Sequence, residues 1–364
     1  MIYCIIGTRA QLIKMAPIIA CIEEKKWPLR IIHTGQHVIS MDDLRSDFNL
    51  KSPWEYLLKK PEAKTVFSSL KWLTHILYLS FFKAKKLIPN ANINNDIVLV
   101  HGDTFSTVIG ALIGKLSGAS VGHIESGLRS FNIWNPFPEE INRLITFSLI
   151  NKAYCPGSWA VDNLEKHKNI ELIDTKQNTL IDSLYIALQK LSKETLSNDQ
   201  YGVISIHRFE NIYNKKRLRF IIDTVLLAAT KKHIIFVMHP VTQKRLLKTG
   251  YLSSIKSNKN ITLKNRCGYI EFTSLLANSS FVITDGGSNQ EELTYLNTPT
   301  LLMRKATERP EGLGKNIVLS NYSTKITHDF ISSIKPKEKN RPVIAVPDPS
   351  PTNIIMNSLK HFKG

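Results

Sequence analysis

Polar residues of several types follow three short apolar segments in the first half of the chain. Arg9 and Lys14 come after the first segment. Gln36 and His37 come after the second, and Asp103 follows the third. If the segments are parallel strands, their carboxyl ends lie at one edge of a sheet, and we predict that these side chains gather there. Cationic, imidazole and carboxylate groups in one place suit anion binding and proton transfer.

Further carboxylates extend this group. Glu125 follows another apolar segment, and Glu139 and Glu140 come just after Pro138, where a helix can begin. An acid at a helix N-terminus is often only a partner of the helix dipole, and we adopt that interpretation for one of this adjacent pair. Asp103, Glu125 and Glu139 then form a candidate acid–base set. Crowded carboxylates repel one another, so one of them can have its pKa raised enough to act as an acid.

The second half carries a pattern suited to a nucleoside diphosphate. A glycine pair at 286–287 follows an apolar segment and precedes a predicted helix. Glycines let the backbone approach a phosphate, and free amides at a helix N-terminus bind its charge. Glu291 or Glu292, one turn into that helix, can accept hydrogen bonds from ribose hydroxyls. His207 and Arg208, after a neighbouring segment, can neutralise a diphosphate. The pattern is neither a P-loop nor a dinucleotide fingerprint.

The elements that must position these residues alternate between β-rich and helical segments. The segment 216–231 shows helical periodicity. This alternation predicts an α/β fold with two doubly wound, Rossmann-like parallel sheets whose domains face a cleft. The β-rich segments are Ile2–Ile6, Leu29–His33, Ile97–Val100, Ser120–Ile124, Val203–Ile206, Ile234–Met238, Phe281–Ile283, Thr300–Met303 and Ile317–Leu319.

The polar, lysine-rich segment 170–201 marks the domain junction. We predict an N-terminal domain with the carboxylates over residues 1–175 and a nucleotide-binding domain over 176–345. Residues 346–364 are predicted to form a helix that packs back on the first domain.

Composition narrows the classes of function without choosing one. The 364 residues are 43% hydrophobic and 21% charged, and their length is natural for two domains. The net charge of +18 invites a nucleic-acid partner, but the basic runs are short and no nucleic-acid-binding signature occurs, so we predict none. A basic surface suits anionic substrates or an anionic membrane equally. The four cysteines show no metal-ligand spacing, and we expect reduced thiols and no metal.

No segment is apolar over the roughly 18 to 20 residues that a membrane span needs. The start of the chain does not resemble a signal peptide, because its apolar run is only about five residues long. We therefore predict a cytoplasmic protein. The segment Trp72–Ile88 is either a core helix with basic residues near its C-terminus, which we favour, or an amphipathic helix that contacts a membrane surface.

Taken together, the motifs resemble one family, the bacterial UDP-N-acetylglucosamine 2-epimerases of the non-hydrolysing type, which have a glycosyltransferase-B fold. The matching segments run through nearly the whole chain in the family's order. They are GTRAQLIKMAP (7–17), TGQH (34–37), VHGDT (100–104), GHIESGLR (122–129), PFPEEINR (136–143), NTLIDSL (178–184), HRFEN (207–211), TDGGSNQEE (284–292) and MRKATERPEG (303–312).

The resemblance implies a cytoplasmic, dimeric enzyme that interconverts UDP-N-acetylglucosamine and UDP-N-acetylmannosamine, or a related UDP-hexosamine, for surface polysaccharide synthesis. It implies no cofactor. UDP would leave by elimination to give a 2-acetamidoglucal and then add back with C2 inverted. By motif, the implied catalytic residues are Asp103, Glu125, Glu139 and His207. The implied substrate- and UDP-binding residues are Arg9, Lys14, Gln36, His37, Arg143, Arg208, Phe272 (near uracil), Gly286, Gly287, Ser288 and Glu292.

The chain departs from the family pattern at several of these motifs. Ala10-Gln11 stands where the family has Pro-Glu, which predicts a missing carboxylate near the substrate. Asp-Ser-Gly-Gly becomes the segment 285–288, Asp-Gly-Gly-Ser, and Gln177 replaces a glycine. A different UDP-hexosamine, a glycosyltransferase of the same fold and a hydrolysing 2-epimerase remain as alternatives. The intact PFPEEINR segment favours the non-hydrolysing branch.

Overall fold

The computed structural model describes residues 1–36, 41–58, 66–134, 137–191, 200–307, 309–336 and 344–363, the side chains of 66–73 excepted. The chain divides into two compact units. Unit 1 comprises Met1–Ile186 and Val346–Gly364, and unit 2 comprises Ala187–Ala345.

In the described part of unit 1, seven parallel strands form one sheet in the order β3-β2-β1-β4-β5-β6-β7. The strands are β1 (Ile2–Ile6), β2 (Leu29–His33), β3 (Trp54–Tyr56), β4 (Ile97–His101), β5 (Ser120–Ile124), β6 (Lys152–Cys155) and β7 (Glu171–Asp174). The helices are α1 (Arg9–Glu24), α2 (Asp42–Asp47), α3 (Val66–Leu87), α4 (Phe105–Ser117), α5 (Glu139–Phe147), α6 (Ser158–Asp162) and α7 (Leu180–Gln189).

The central strands of this sheet are buried along their whole length. Every residue of β1, β4 and β5 is buried, as expected for a parallel sheet covered by helices on both faces. Helix α4 packs closely because Gly110 faces the sheet: a Cβ there would lie 2.6 Å from Cγ1 of Val100. The sheet therefore holds the carboxyl ends of β1, β4 and β5 next to one another.

Helix α3 confirms that the segment Trp72–Ile88 is helical. One side of it is buried and includes Ile76, Ser80 and Ala84. The other side exposes Tyr78, Phe81 and Phe82. The interpretation as a core helix therefore holds for the buried face of α3 and not for its exposed aromatic face. No helix within the described ranges is long and apolar enough to cross a bilayer.

In the described part of unit 2, six parallel strands form a second sheet in the order β10-β9-β8-β11-β12-β13. The strands are β8 (Tyr201–Ser205), β9 (His233–Met238), β10 (Ile261–Asn265), β11 (Phe281–Thr284), β12 (Thr300–Leu302) and β13 (Ile317–Leu319). The helices are α8 (Phe209–Ile212), α9 (Lys215–Ala229), α10 (Pro240–Thr249), α11 (Tyr251–Lys256), α12 (Tyr269–Asn278), α13 (Gly287–Tyr295) and α14 (Thr324–Ser332).

The end of the chain belongs to unit 1. Helix α15 (Pro351–Ser358) leads into a short 3-10 turn at Leu359–Phe362. The amide and hydroxyl of Thr352 donate to Oδ2 of Asp182, at 2.9 and 2.6 Å, which ties α15 to α7. Burial raises the pKa of the Asp182 carboxyl, and the bonds from Thr352 oppose that rise.

The division between the units differs from the predicted boundary at 175–176. It falls after Ile186, within the segment 170–201 that marked the junction. Helix α7 stays with unit 1 over its first turns because Thr179 Oγ1 donates to the Lys14 carbonyl at 2.7 Å and Ser183 Oγ donates to the Ile13 carbonyl at 2.6 Å. Side-chain bonds of this kind leave no compositional signal.

The predicted α/β class with two doubly wound parallel sheets is confirmed. The sequence analysis missed β3, β6, β7 and β10. Most of these strands lie at or next to a sheet edge, where part of the strand is exposed and polar residues interrupt the apolar run.

Candidate active site

Glu125 lies at the centre of a buried charged cluster in unit 1. It follows β5 directly, and its backbone is in the left-handed region with φ of 62°. Its Oε1 accepts hydrogen bonds from the Lys14 ammonium and, at 2.6 Å, from the Asn178 amide. Its Oε2 lies 3.7 Å from Nε2 of His101. The Lys14 and Glu125 side chains are 4% and 7% exposed, so this ion pair is shielded from water.

A neutral histidine contacts the loops that follow β4 and β5. His123 in β5 is fully buried, its Nε2 is 2.7 Å from the Gly102 carbonyl, and its Nδ1 is 2.9 Å from Oγ of Ser126. Burial lowers the pKa of His123 to about 4, although the Gly102 bond and the nearby Glu125 and Asp103 favour its charged form. The ring therefore fixes the loops after β4 and β5 without adding a charge at neutral pH.

Asp103 sits at the end of β4 against helix α5. Nε and Nη2 of Arg143 donate to its Oδ2 at 3.1 and 2.5 Å, and the Asn142 amide donates to its carbonyl oxygen at 2.8 Å. The Asp103 side chain is 28% exposed, whereas that of Arg143 is 4% exposed. Arg143, predicted to bind substrate, thus holds a candidate catalytic carboxylate through one of its two oxygens.

The adjacent acids of α5 have different environments. Glu140 is fully buried and accepts hydrogen bonds from Arg129 Nε at 2.5 Å, Ser130 N at 2.9 Å and Arg143 Nη1 at 3.1 Å. These three donors lower the pKa of Glu140, although burial acts against them. Glu139 is partly exposed at the first position of the helix. Glu140 is therefore the structural member of the pair, which leaves Glu139 as the candidate for chemistry.

Two predicted binding residues of unit 1 contact neighbouring elements. Arg9 forms a bidentate ion pair with the carboxylate of Asp43 at the start of α2. Gln36 Oε1 accepts hydrogen bonds from the amide and hydroxyl of Ser106 at 3.1 and 2.5 Å, and so lies at the N-terminus of α4. His37 lies outside the described residues. Arg9 begins helix α1, which carries Lys14, and Gln36 lies beside the loop that carries Asp103.

In unit 2, Asp285 organises the loop after β8. Its fully buried carboxylate accepts hydrogen bonds from the amides of His207 and Arg208 at 3.0 and 2.9 Å, and from the Asn211 side chain at 2.9 Å. This arrangement turns the side chains of His207 and Arg208 outward, with 38% and 25% exposure. Arg208 Nε lies 3.3 Å from the carboxylate of Glu210.

The start of α13 lies beside His207. Its N-cap residue is Gly286, which has no side chain to cap the helix. A Cβ at this position would approach Cε1 of His207 to 3.1 Å. Gly287 and Ser288 form the first turn and are partly exposed. Backbone amides of a first helical turn next to an imidazole are suited to an anion, so the glycine pair stays a candidate phosphate site.

The two acids in α13 are both buried, but they contact different residues. Glu291 accepts a hydrogen bond from Arg309 Nη1 at 2.8 Å. Glu292 lies beside the hydroxyl of Tyr269, whose pKa is raised well above its ordinary value by burial and then by Glu292. The pairing with Arg309 favours Glu292 over Glu291 for a ribose. Phe272, three residues beyond Tyr269 in α12, is partly buried.

Among the described residues, no group of three or more His, Cys, Asp or Glu side chains could hold a metal ion. The sequence analysis assigned no role to His101, His123, Arg129, Asn178 or Asp285. All five lie in the matching motifs, but only the fold shows that His101, Asn178 and Asp285 contact candidate site residues and that His123 and Arg129 support the surrounding loops.

Comparison with known proteins identifies the family. Residues 20–345 match the model of the UDP-N-acetylglucosamine 2-epimerase family. The chain is 33% identical to the UDP-N-acetylglucosamine 2-epimerase of Methanocaldococcus jannaschii, over 88% of this chain and 89% of that protein. It is 32% identical to the enzyme of that name from Campylobacter jejuni, over 86% and 84% of the two chains. The chain belongs to the UDP-N-acetylglucosamine 2-epimerase family.

Solved structures of the epimerase family share the fold. The M. jannaschii UDP-GlcNAc 2-epimerase, solved with UDP-GlcNAc and UDP, has a TM-score of 0.80 at 28% identity and covers 99% of both chains. The Neisseria meningitidis enzyme, solved with UDP-GlcNAc, has a TM-score of 0.78 at 25% identity over 98% of this chain and 99% of that one. The glycosyltransferase-B type predicted from the sequence is therefore confirmed.

The departure from the epimerase pattern at Ala10-Gln11 has a structural explanation. The Gln11 side chain is buried, and its Oε1 accepts hydrogen bonds from the amides of Gly7 and Thr8 at 2.9 and 3.1 Å. Its Nε2 donates to the His101 carbonyl at 2.7 Å and to the hydroxyls of Thr104 and Thr107 at 3.0 Å each. The amide thus joins the loops after β1 and β4 from inside. A neutral amide, which both donates and accepts hydrogen bonds, thus stands where the family pattern has a carboxylate.

Proposed function

We propose that this chain is a UDP-N-acetylglucosamine 2-epimerase that interconverts UDP-N-acetylglucosamine and UDP-N-acetylmannosamine. The observation that carries the proposal is the group of carboxylates that unit 1 holds after β4, after β5 and at the start of α5. Asp103 and Glu125 are each paired with a buried cation, so each can stay ionised inside the protein. Family membership, and the relatives solved with UDP-GlcNAc, supply the substrate class.

The reaction explains why several carboxylates are needed. C2 of the sugar is not next to a carbonyl, so its hydrogen is not acidic. The C1–O bond must loosen first, and its electron pair leaves with UDP while positive charge develops on the ring. A carboxylate then removes the C2 proton, and the C2–H electrons form the C1–C2 double bond of 2-acetamidoglucal. Readdition of UDP, with a proton delivered to the opposite face of C2, gives the epimer. Negative side chains fixed near the ring stabilise this charge.

Within this proposal, unit 2 binds UDP. The amides of Gly287 and Ser288 at the start of α13 bind the diphosphate, assisted by His207 and Arg208. His207 also serves as a catalytic residue, because a ring N–H beside the leaving phosphate can donate a hydrogen bond to the charge that develops there.

The remaining groups of unit 2 bind the nucleoside. Glu292 accepts hydrogen bonds from the ribose hydroxyls, and Phe272 packs near uracil. Gly286 lies against His207, and a Cβ there would come within 3.1 Å of the imidazole ring.

Unit 1 acts on the sugar. Asp103, Glu125 and Glu139 share the stabilisation of the ring and the two proton transfers. Lys14 acts by holding Glu125, and Arg143 acts by holding Asp103. Arg9, in the same helix as Lys14, and Gln36, beside the loop that carries Asp103, border these groups. The predicted division of labour into a carboxylate domain and a nucleotide domain is part of the proposal.

Incubation with UDP-N-acetylglucosamine in D2O tests this function. The proposal predicts that deuterium enters C2 of the recovered UDP-sugars, followed by NMR, and that the manno epimer accumulates. Release of free N-acetylmannosamine and UDP would instead place the chain with hydrolysing enzymes. An unchanged substrate, with other UDP-hexosamines left unchanged as well, would overturn the epimerase proposal and leave transfer to an acceptor.

We further propose that the enzyme acts as a cytoplasmic homodimer and feeds surface polysaccharide synthesis. The resemblance to the family supports each of these statements. Light scattering on the purified protein measures the oligomeric state, and a mass of one chain, 41.3 kDa, would contradict the dimer.

A further inference from the structure

Asn178 links the start of helix α7 to a candidate catalytic carboxylate. Its Oδ1 accepts a hydrogen bond from the amide of Leu180 at 3.1 Å, and its Nδ2 donates to Oε1 of Glu125 at 2.6 Å. Asn178 itself is buried. Because the oxygen is engaged by a backbone donor, the NH2 group must face the carboxylate. The orientation of this amide is thus set by the helix that follows it.

The two donors to Glu125 converge on one of its oxygens. Lys14 and Asn178 both donate to Oε1. Oε2 lies 3.7 Å from Nε2 of His101, and 3.3 Å from the position of a Cβ on Gly102, whose φ of +67° suits glycine. Glu125 is therefore held through Oε1, while Oε2 faces the His101 ring.

The charged and titratable groups around Glu125 come from several elements. Lys14 of α1 contributes a positive charge, and His101 of β4 faces Oε2. Neutral His123 of β5 lies nearby, and the Asp103 carboxylate shares the electrostatic environment. Lys14 favours the ionised form of Glu125, whereas burial opposes it. A neutral donor from Asn178 adds to the effect of Lys14 without adding a charge.

The geometry points to Asn178 as a positioning residue for the epimerase reaction: it orients Glu125 and keeps this carboxylate ionised. Its catalytic consequence rests on the proposed function, whereas its effect on the Glu125 carboxyl can be measured without turnover. The relevant property is the donor group of the amide, since aspartate has the same shape and caps a helix equally well.

Asn178→Asp is the informative substitution. It keeps the acceptor for the Leu180 amide but places a second carboxylate against Oε1 of Glu125. Like charges at this distance raise the pKa of one of them. Thr179→Val is the matched control, because it removes the neighbouring hydrogen bond from α7 to the Lys14 carbonyl and leaves Glu125 untouched.

Two measurements on the full-length protein decide the inference. A pH titration of the 13C-labelled glutamate carboxyls, with the Glu125 signal assigned from Glu125→Gln, should show its pKa raised in Asn178→Asp and unchanged in Thr179→Val. The C2 exchange rate should fall roughly 10- to 100-fold in Asn178→Asp, with the acidic limb of its pH profile moved upward. Thr179→Val should lower only the melting temperature.

An unchanged Glu125 titration in Asn178→Asp would overturn the role of Asn178. A raised pKa with unchanged exchange kinetics would also overturn it, because Glu125 would then be oriented by other groups. If the wild-type protein exchanges no deuterium into any UDP-hexosamine, the proposed function fails, and the titration alone still decides whether Asn178 controls Glu125.

Discussion

Two candidate-site carboxylates of unit 1, Glu125 and Asp103, are held in a different way from Asp285 of unit 2. In unit 1, Glu125 and Asp103 are paired with the side-chain cations Lys14 and Arg143. In unit 2, Asp285 accepts hydrogen bonds mainly from backbone amides and supports a loop. Cationic partners adjust the charge of a carboxylate, whereas backbone donors use it to fix geometry. The contrast supports our proposal that unit 1 moves protons and unit 2 holds a ligand.

The largest effect expected from this contrast is on chemistry in unit 1. Glu139→Gln should reduce C2 exchange by about 10²- to 10⁴-fold, the range for loss of a general acid or base, while UDP affinity measured by calorimetry stays unchanged. Glu140→Gln is the matched control at the adjacent position. It should instead lower the melting temperature, because Arg129 and the buried Arg143 lose a charged partner. Persistent exchange in Glu139→Gln would remove this residue from the mechanism.

A second effect concerns acid stability in unit 1. The folded pKa of His123 is lowered to about 4, so its contribution to stability is present above the unfolded pKa of about 6.5 and is lost as the pH falls towards 4. The shift corresponds to about 3 kcal/mol at most. His123→Gln keeps a donor for the Gly102 carbonyl but does not titrate. Urea unfolding between pH 7 and pH 4 should show a smaller decline in this variant, and parallel curves would contradict the assignment.

In unit 2, removing a backbone acceptor should affect stability and binding together. Asp285→Asn leaves at least one of the amides of His207 and Arg208 facing an NH2 group, at a cost of about 1–3 kcal/mol. Chemical unfolding and UDP titration should both report the loss. Glu210→Gln, which changes only an exposed pair with Arg208, serves as the control and should cost less than about 1 kcal/mol. Equal effects of the two changes would contradict the supporting role of Asp285.

The smallest expected effect is at the departure from the family pattern. Gln11→Glu restores the family residue but turns the donor to the His101 carbonyl into a second acceptor, so the free energy of unfolding should fall by about 1–2 kcal/mol at neutral pH. Protonation of the introduced carboxyl restores the donor, and its raised folded pKa makes the deficit shrink as the pH is lowered. Unfolding curves at pH 5 and pH 8 check this, and a more stable variant at pH 8 would contradict it.

The sequence predicted the parts of the fold that periodicity and composition encode. Continuous apolar segments such as Ile97–Val100 identified the central strands, and the glycine pair at 286–287 identified the helix start beside His207. The strand Glu171–Asp174 was missed because it is polar and partly exposed at a sheet edge.

The partners of the site residues were beyond the reach of the sequence. Nothing in the spacing of Lys14, Glu125 and Asn178 shows that they meet, because contacts over such separations depend on the order of strands in the sheet. From the sequence, Gln11 in place of the family's glutamate indicated a missing carboxylate near the substrate. In the structure, its amide points inward and donates to the His101 carbonyl. Motif matching supplied candidate site residues, and the fold separates the supporting acid Glu140, which is held by Arg129 and Arg143, from the candidate acid Glu139.

Positional isotope exchange tests the central claim, that UDP leaves the sugar while a carboxylate of unit 1 moves the C2 proton. The substrate carries 18O in the bridge between C1 and the β-phosphorus and is incubated in D2O. The account predicts that 18O moves to non-bridging positions of the β-phosphate, seen by 31P NMR, and that deuterium enters C2 of the same molecules. Deuterium at C2 with 18O retained entirely in the bridge would contradict it, since the proton would then exchange without departure of UDP.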